Sequence, residues 1–279
     1  MRGTRLWLLV GLIAMAMSAL IAGCGDDEGD SSGTSGGADL GLIQEGILTV
    51  GTDTPYPPFE IGQPPNISGY DIDVMNAIAE ELGVEAEYTD TGFGTIFRDT
   101  ASGQFDTAAA ASTITAGREN AVDFTDPYYE AQQALLVPEG SDIASVDDLG
   151  GAIVGSQDGT TGETYANEET DADDVRGFPE GPNAISAMVT GQVDAVIIDQ
   201  PVAADAVEKQ GGMEIVEEIA TNELYEFAVA PENDALREAM NDALATLKED
   251  GTIEDLYDQY FSTAPPDSVL EGTNELLKE

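Results

Sequence analysis

The sequence predicts an α/β fold in two lobes, and three observations predict it. From about residue 40 onward, short β-type runs alternate with helical ones, the pattern of strands joined by helices in largely parallel sheets. About 240 residues take part, long for one such sheet and comfortable for two lobes. The third observation is an internal echo. "SGQFDTAAAAST" (102–113) and "TGQVDAVIIDQP" (190–201) each read as a helix end, a Gly-Gln stop and an Asp-initiated buried strand running into a polar loop. Glycine suits the helix stop because it takes positive φ without penalty.

Strands are expected at 47–51, 86–90, 105–111, 133–138, 152–156, 193–199 and 225–230, where short β-branched or apolar runs are bounded by turn residues. Helices are expected over 72–82, where Val74, Ile78 and Leu82 share a face, and over 183–190, 201–209, 234–248 and 253–261. In open α/β sheets ligands bind beyond the carboxyl ends of the strands, so the loops after Ala111 and Ile198 become the candidate site.

The charge balance excludes whole classes of function. Of 279 residues, 55 are Asp or Glu, 9 are Lys or Arg, none is His and one is Cys, for a net charge of −46. Without imidazole no Ser/His/Asp or Cys/His relay assembles, and no His- or Cys-rich zinc site; one Cys forms no intrachain disulfide. Nucleic acid would be repelled. Residues 1–23 contain two bases and no acid, so their removal leaves 55 acids against 7 bases, or −48. Such a surface repels itself in dilute buffer, whereas at ~1 M salt the Debye length is about 3 Å. A salt-rich habitat is therefore expected, the alternative being an acidic protein tuned only for solubility.

Arg2 and Arg5 precede an apolar run from Leu6 to Gly23 that has the form of a secretory signal, and it ends at Cys24. "LIAGC" (20–24) resembles a lipobox, which implies lipidation of Cys24 after cleavage; a retained membrane helix is the alternative. Residues 24–43, rich in Gly, Ser and Asp, read as a flexible tether. The expected location is the outer face of the cytoplasmic membrane.

The two candidate loops hold Arg118 and Asp199. A guanidinium on one lobe and a carboxylate on the other suit a zwitterion, Arg taking the carboxylate with a two-pronged hydrogen bond and Asp taking the ammonium. Arg118 could instead form a surface ion pair, and Asp199 could instead cap the helix that starts near Pro201.

Six motifs then occur in one order: "LTVGTDTPYPPFE" (48–60), "GYDIDVMNAIAEELG" (69–83), "STITAGREN" through "VDFTDPYY" (112–129), "VGSQDGTTGETYA" (154–166), "GQVDAVIIDQPVAA" (191–204) and "LKEDGTIEDLYDQYF" (247–261). In these the chain resembles the bacterial family 3 extracellular solute-binding proteins, the amino-acid receptors of ABC importers. The resemblance implies a two-lobed type II periplasmic-binding fold with hinge strands near 129–132 and 224–227. Lobe 1 would then be 44–130 plus 225–279, and lobe 2 would be 131–224. It implies that Arg118 binds the ligand α-carboxylate with help from Thr113, the main chain around Ala111, and Thr161 of lobe 2. Asp199 would take the α-ammonium, while Tyr56 and Phe93 stack on the ligand side chain, although both also read as core aromatics. Thr161 also fits independently, since "GTTGE" (159–163) opens a helix whose first N–H groups suit an anion.

Asp53, Gln157, Tyr56 and Phe93 would face the distal end of the ligand. With Arg118 and Asp199 balancing the zwitterion, Asp53 is left to demand a cation or a donor, favouring Arg, Lys, ornithine or Gln over Glu and Asp. Its alternative role is to cap the local "TDTP" turn. The expected partners are a free amino acid, an ABC permease and the lipid anchor, with a monomeric protein, no cofactor and no catalysis. A dehydratase of the same fold acting on a prephenate-type substrate is the competing reading.

Overall fold

The computed structural model describes residues 39–273. The signal segment, Cys24 and most of the expected tether lie outside the described residues. The tether ends earlier than expected: Leu40 and Leu42 pack against the core, and the Ile43 N–H donates to Asp106 at 2.8 Å. Partial burial of two apolar side chains within three residues, together with the Ile43 bond, offsets part of the cost of ordering the segment.

The elements in chain order are β1 (Ile47–Thr52), β2 (Ile61–Gln63), β3 (Asn66–Ser68), α1 (Tyr70–Leu82), β4 (Glu85–Asp90), α2 (Phe93–Ala101), β5 (Thr107–Ala108), β6 (Asp123–Phe124) and β7 (Tyr129–Pro138). There follow β8 (Ile153–Gln157), α3 (Thr161–Glu168), β9 (Asp174–Phe178), α4 (Gly181–Val189), β10 (Ala195–Asp199), α5 (Gln200–Gln210) and β11 (Met213–Tyr225). The chain then runs through β12 (Ala228–Val229), α6 (Asp234–Glu249), α7 (Thr252–Phe261) and α8 (Asp267–Leu270).

Two five-stranded sheets form two lobes, ordered β4-β1-β5-β12-β6 and β11-β7-β10-β8-β9. The expectation of largely parallel sheets needs correction, because each is mixed. In the first, β1 runs parallel to β4 and β5 while β12 is antiparallel to β5 and β6. In the second, β8 is parallel to β9 and β10, while β7 is antiparallel to β10 and β11. The antiparallel strands are those at which the chain changes sheets. It crosses after Phe124 into β7 and returns from β11 into β12, so the long β7–β11 pair, with Tyr129 opposite Tyr225, carries both crossings. Phe59, Tyr70, Tyr129, Tyr225 and Phe261 pack around this end of the pair with ring centroids 4.7–6.3 Å apart. Such contacts form a rigid base beneath the crossings.

The echoed glycines fulfil their expected role. Gly103 and Gly191 follow α2 and α4 at φ +75° and +72°. The echoed aspartates add a second likeness: Asp106 accepts from the Thr49 N–H at 2.9 Å and Asp194 from the Ile153 N–H at 2.8 Å, each fixing the start of a neighbouring strand. The strand expected at 105–111 pairs only over Thr107–Ala108. Ala111 has φ +44°, so the chain leaves the ladder and turns along the sheet end. The echo placed the end of helix α2 but no span was expected for it, although Phe93, Ile96, Phe97 and Thr100 keep helical spacing.

Gly69, ahead of α1, sits at φ 128° and ψ 171°, and a Cβ there would lie 2.0 Å from the Phe59 carbonyl oxygen. That conformation is open essentially to glycine alone and costs another residue about 1–3 kcal/mol before any clash. Gly69→Ala should lower the melting temperature by about 5 °C or more. Thermal unfolding followed by circular dichroism measures it, and an unchanged midpoint would contradict the strain.

Candidate functional site

Four strand ends converge at the junction of the sheets. Asp53 follows β1 directly, Ala110 and Ala111 follow β5, Gln157 ends β8 and Asp199 ends β10. With Tyr56, Phe93, Thr113, Arg118, Thr160 and Thr161 they line one small cavity. All nine residues expected at a ligand site are thus brought together. The space among them is about 10 Å³, room for a single water molecule.

The loop after Ala111 is stitched to the end of β11 by Ile114 N–H to Leu224 O and Glu226 N–H to Ser112 O, both at 3.1 Å. This places Thr113 beside β11 and returns Arg118 over the cavity. The Arg118 guanidinium donates to Thr113 O at 2.5 Å and, across the cleft, to Gly159 O at 3.1 Å. Its central carbon lies over the Phe93 and Phe97 rings, 5.0 and 4.8 Å from their centroids. Of the described bases, Arg98, Arg176, Lys209 and Arg237 form ion pairs within 4.0 Å; Arg118 forms none, which removes its surface ion-pair reading. Burial pulls the guanidinium down to about 10, against the opposing charges of Glu223 and Asp199, and it stays ionised at neutral pH.

Asp199 stands where the N-cap of α5 should be, yet its side chain makes no capping bond. It accepts instead from the Tyr56 hydroxyl and from Gln133 Nε2, both at 2.5 Å. Asp53 does not cap the "TDTP" turn either. The Thr54 N–H bonds Asp90 at 3.1 Å, and Asp53 reaches across the cleft to accept from Gln157 Nε2 at 2.6 Å. Both aspartates are buried, and desolvation raises each to about 6. For Asp53 the Gln157 bond is the main opposing influence. For Asp199 the neighbouring Glu223 charge adds to the rise, and the bonds from Tyr56 and Gln133 oppose it.

Some assignments change in detail. The Ala111 N–H is committed to buried Asp71 at 2.8 Å, so the main chain there is not an open donor. Asp71 in turn accepts from the Tyr128 hydroxyl at 2.7 Å, which anchors the turn to the base of the lobe. Phe93 lies against Arg118, and Tyr56 holds Asp199, so both aromatics position charged groups. The Thr113 and Thr161 hydroxyls both donate to Glu223, at 2.5 and 2.6 Å.

Glu223, Gln133 and Phe97 were not read from the sequence as site residues. Gln133 was visible as the second of two adjacent amides ahead of the apolar run of β7. Glu223 carried no signal, being one acid among 55. Among the described residues no group of three acidic or Cys side chains could hold a metal ion, and no helix is long and apolar enough to cross a membrane.

Residues 48–263 match the model of the bacterial extracellular solute-binding proteins, family 3. The glutamine-binding protein GlnH of the ABC transporter of Bacillus subtilis (strain 168) is 31% identical over 267 residues, 92% of this chain and 97% of its own. Among solved structures, an ancestral arginine-binding protein bound to glutamine superposes with a TM-score of 0.75 at 38% identity, covering 79% of this chain and 100% of that one. An ancestral amino acid-binding protein, precursor of cyclohexadienyl dehydratase, gives 0.71 at 35% identity, over 77% and 95% of the two chains. With a matching family model over most of its length, and the same two-lobed type II architecture in its structural neighbours, the chain belongs to the bacterial extracellular solute-binding proteins of family 3.

Proposed function

We propose that this protein captures a polar or basic L-amino acid between its lobes and delivers it to an ABC permease, from the outer face of the membrane to which a lipid on Cys24 holds it. One observation carries the reading: Arg118, without an ion-pair partner among the described residues, faces a cleft that also holds the buried carboxylates Asp199 and Asp53. The first pair matches the two ends of an amino acid. The remaining carboxylate asks for a cation or a donor at the ligand's far end, hence Arg, Lys, ornithine or Gln.

The lobes divide near residues 130 and 225, where the β7–β11 pair acts as the hinge. The residues joined across the cleft, Gln157 to Asp53, Tyr56 to Asp199 and Arg118 to Gly159, exchange these partners for the ligand. A ligand that replaces them in one geometry favours the closed form through its differential affinity. The permease reads that form. No covalent step is required, and the site has Arg118 as its one cation, whereas a prephenate-type substrate carries two carboxylates. Salt adaptation belongs to the same reading, since only four ion pairs occur among the described residues of so acidic a chain.

An amino-acid panel followed by thermal shift and calorimetry, in ~0.1 M and ~3 M NaCl, tests the proposal. The expected result is binding led by a basic amino acid or glutamine, and a higher melting point in molar salt. Glutamate or a branched apolar residue as the tightest ligand would overturn the side-chain assignment. Turnover of prephenate would overturn the carrier role.

A further inference from the structure

The hydroxyls expected to hold a ligand's carboxylate already hold one. Strand β11 slips register against β7 between Ile219 and Glu223, and Asn222 within the slip has φ +50°. This turns the Glu223 side chain inward, where the residue is only 7% exposed. Glu223 Oε2 accepts from Thr113 Oγ1 of one lobe at 2.5 Å and from Thr161 Oγ1 of the other at 2.6 Å. Its Oε1 accepts from Gln133 Nε2 at 3.1 Å, and the same nitrogen donates to Asp199 at 2.5 Å. Charge-assisted bonds of this length are among the stronger ones available to neutral donors.

The charge count points the same way. Arg118 faces Asp53, Asp199 and Glu223, one positive group against three negative ones. A neutral zwitterion leaves that imbalance unchanged, and its carboxylate competes with Glu223 for Thr113 and Thr161. A ligand with two cationic ends and no carboxylate removes the imbalance and leaves those bonds intact.

Building on the amino-acid reading above, we infer that Glu223 is an internal substitute for a ligand carboxylate, so that the cleft also accepts carboxylate-free dications, the decarboxylated counterparts of basic amino acids. One cationic end lies with Asp199 and Glu223 and the other with Asp53. A second cavity of about 580 Å³, lined by Glu223, Thr113 and Thr161 among others, adjoins the site. It gives the Glu223 side chain a place to move when an amino acid brings a carboxylate of its own. The two ligand classes thus share one cleft and differ in where Glu223 lies.

Calorimetry with arginine and with agmatine, which is arginine lacking its carboxylate, tests this on the wild-type protein and on Glu223→Gln. Wild type is expected to bind both. In Glu223→Gln, which keeps the side chain's shape, agmatine should weaken about tenfold and arginine should tighten, moving the ratio of their affinities at least tenfold toward arginine. A general folding defect weakens both ligands together and cannot invert their order. An unchanged ratio, a ratio moving toward agmatine, or arginine binding without agmatine binding in the wild type would overturn the inference. Agmatine binding, lost in Glu223→Gln, with no amino acid bound at all would support Glu223 while defeating the amino-acid reading.

Discussion

Arg118→Ala is expected to weaken amino-acid binding at least a hundredfold, to the edge of detection by calorimetry. The guanidinium carbon lies over the Phe93 and Phe97 rings, and its fork is braced by the carbonyl oxygens of Thr113 and Gly159. A carboxylate meeting such a pre-positioned fork gains hydrogen bonds to a charged donor, each worth about 1.5–3 kcal/mol. Losing two of them corresponds to two orders of magnitude or more. The variant also loses the one bond by which Arg118 touches the opposite lobe, so closure is weakened along with contact. Arg118→Lys keeps the charge but not the fork, and should fall between the variant and wild type. Both variants should melt within a few degrees of the ligand-free wild type, because Arg118 forms no ion pair among the described residues. Binding of the best ligand within threefold of wild type in Arg118→Ala would remove the residue from the site.

The second large effect is a loss of basic-ligand affinity in mild acid. Asp53 and Asp199 titrate at about 6, so both are largely ionised at pH 7.5. At pH 5 about one in ten of each is ionised, and a ligand needing both charges loses roughly a hundredfold in affinity. The folding contribution of the same groups runs in the opposite direction. Their carboxyls are raised above the unfolded value of 3.8, so between about pH 4 and 6 the folded state holds more protons than the unfolded state. Stability from these groups is therefore greatest below that window and falls as pH rises through it, by up to about 3 kcal/mol for each group. A cationic ligand offsets that loss. Thermal shift should accordingly show the ligand-free protein gaining stability, with respect to these two groups, from pH 7.5 to 5, while the gain produced by arginine shrinks. Asp53→Asn should flatten the arginine profile. Equal arginine affinity at pH 5 and 7.5 would mean that neither carboxylate meets a ligand cation.

The acid excess and the scarcity of bases have different consequences in this protein. Of the described bases outside the cleft, Arg98, Arg176, Lys209 and Arg237 pair with nearby acids within 4.0 Å, and Lys248 feels the charges of Asp126 and Glu226. Within it, Arg118 is surrounded by acceptors from main chain and by aromatic faces. This arrangement keeps a guanidinium available without a permanent carboxylate partner at ion-pair distance.

Local sequence determined the elements and where the site lies. Periodic apolar residues gave α1, α4, α5, α6 and α7, and Gly103 and Gly191 take the positive φ their helix ends require. The ends of β1, β5, β8 and β10 brought together Asp53, Ala111, Gln157 and Asp199, because strand order collects dispersed loops at one edge of each sheet and the two edges meet at the junction. Tertiary structure alone decided what these groups do to one another. Asp199 could have capped α5, but Tyr56 and Gln133, 143 and 66 residues away, hold it in the cleft. The open amide expected at Ala111 is consumed by Asp71, and the hydroxyls of Thr113 and Thr161 by Glu223. A strand's residue types fix its face and its burial, but a register slip like that before Glu223 depends on the partner strand. The choice between competing acceptors is likewise settled by distances between segments far apart in the chain. That is why the sequence alone marked Arg118 and Asp199, while Glu223 emerged only when two lobes were seen to donate to the same carboxylate.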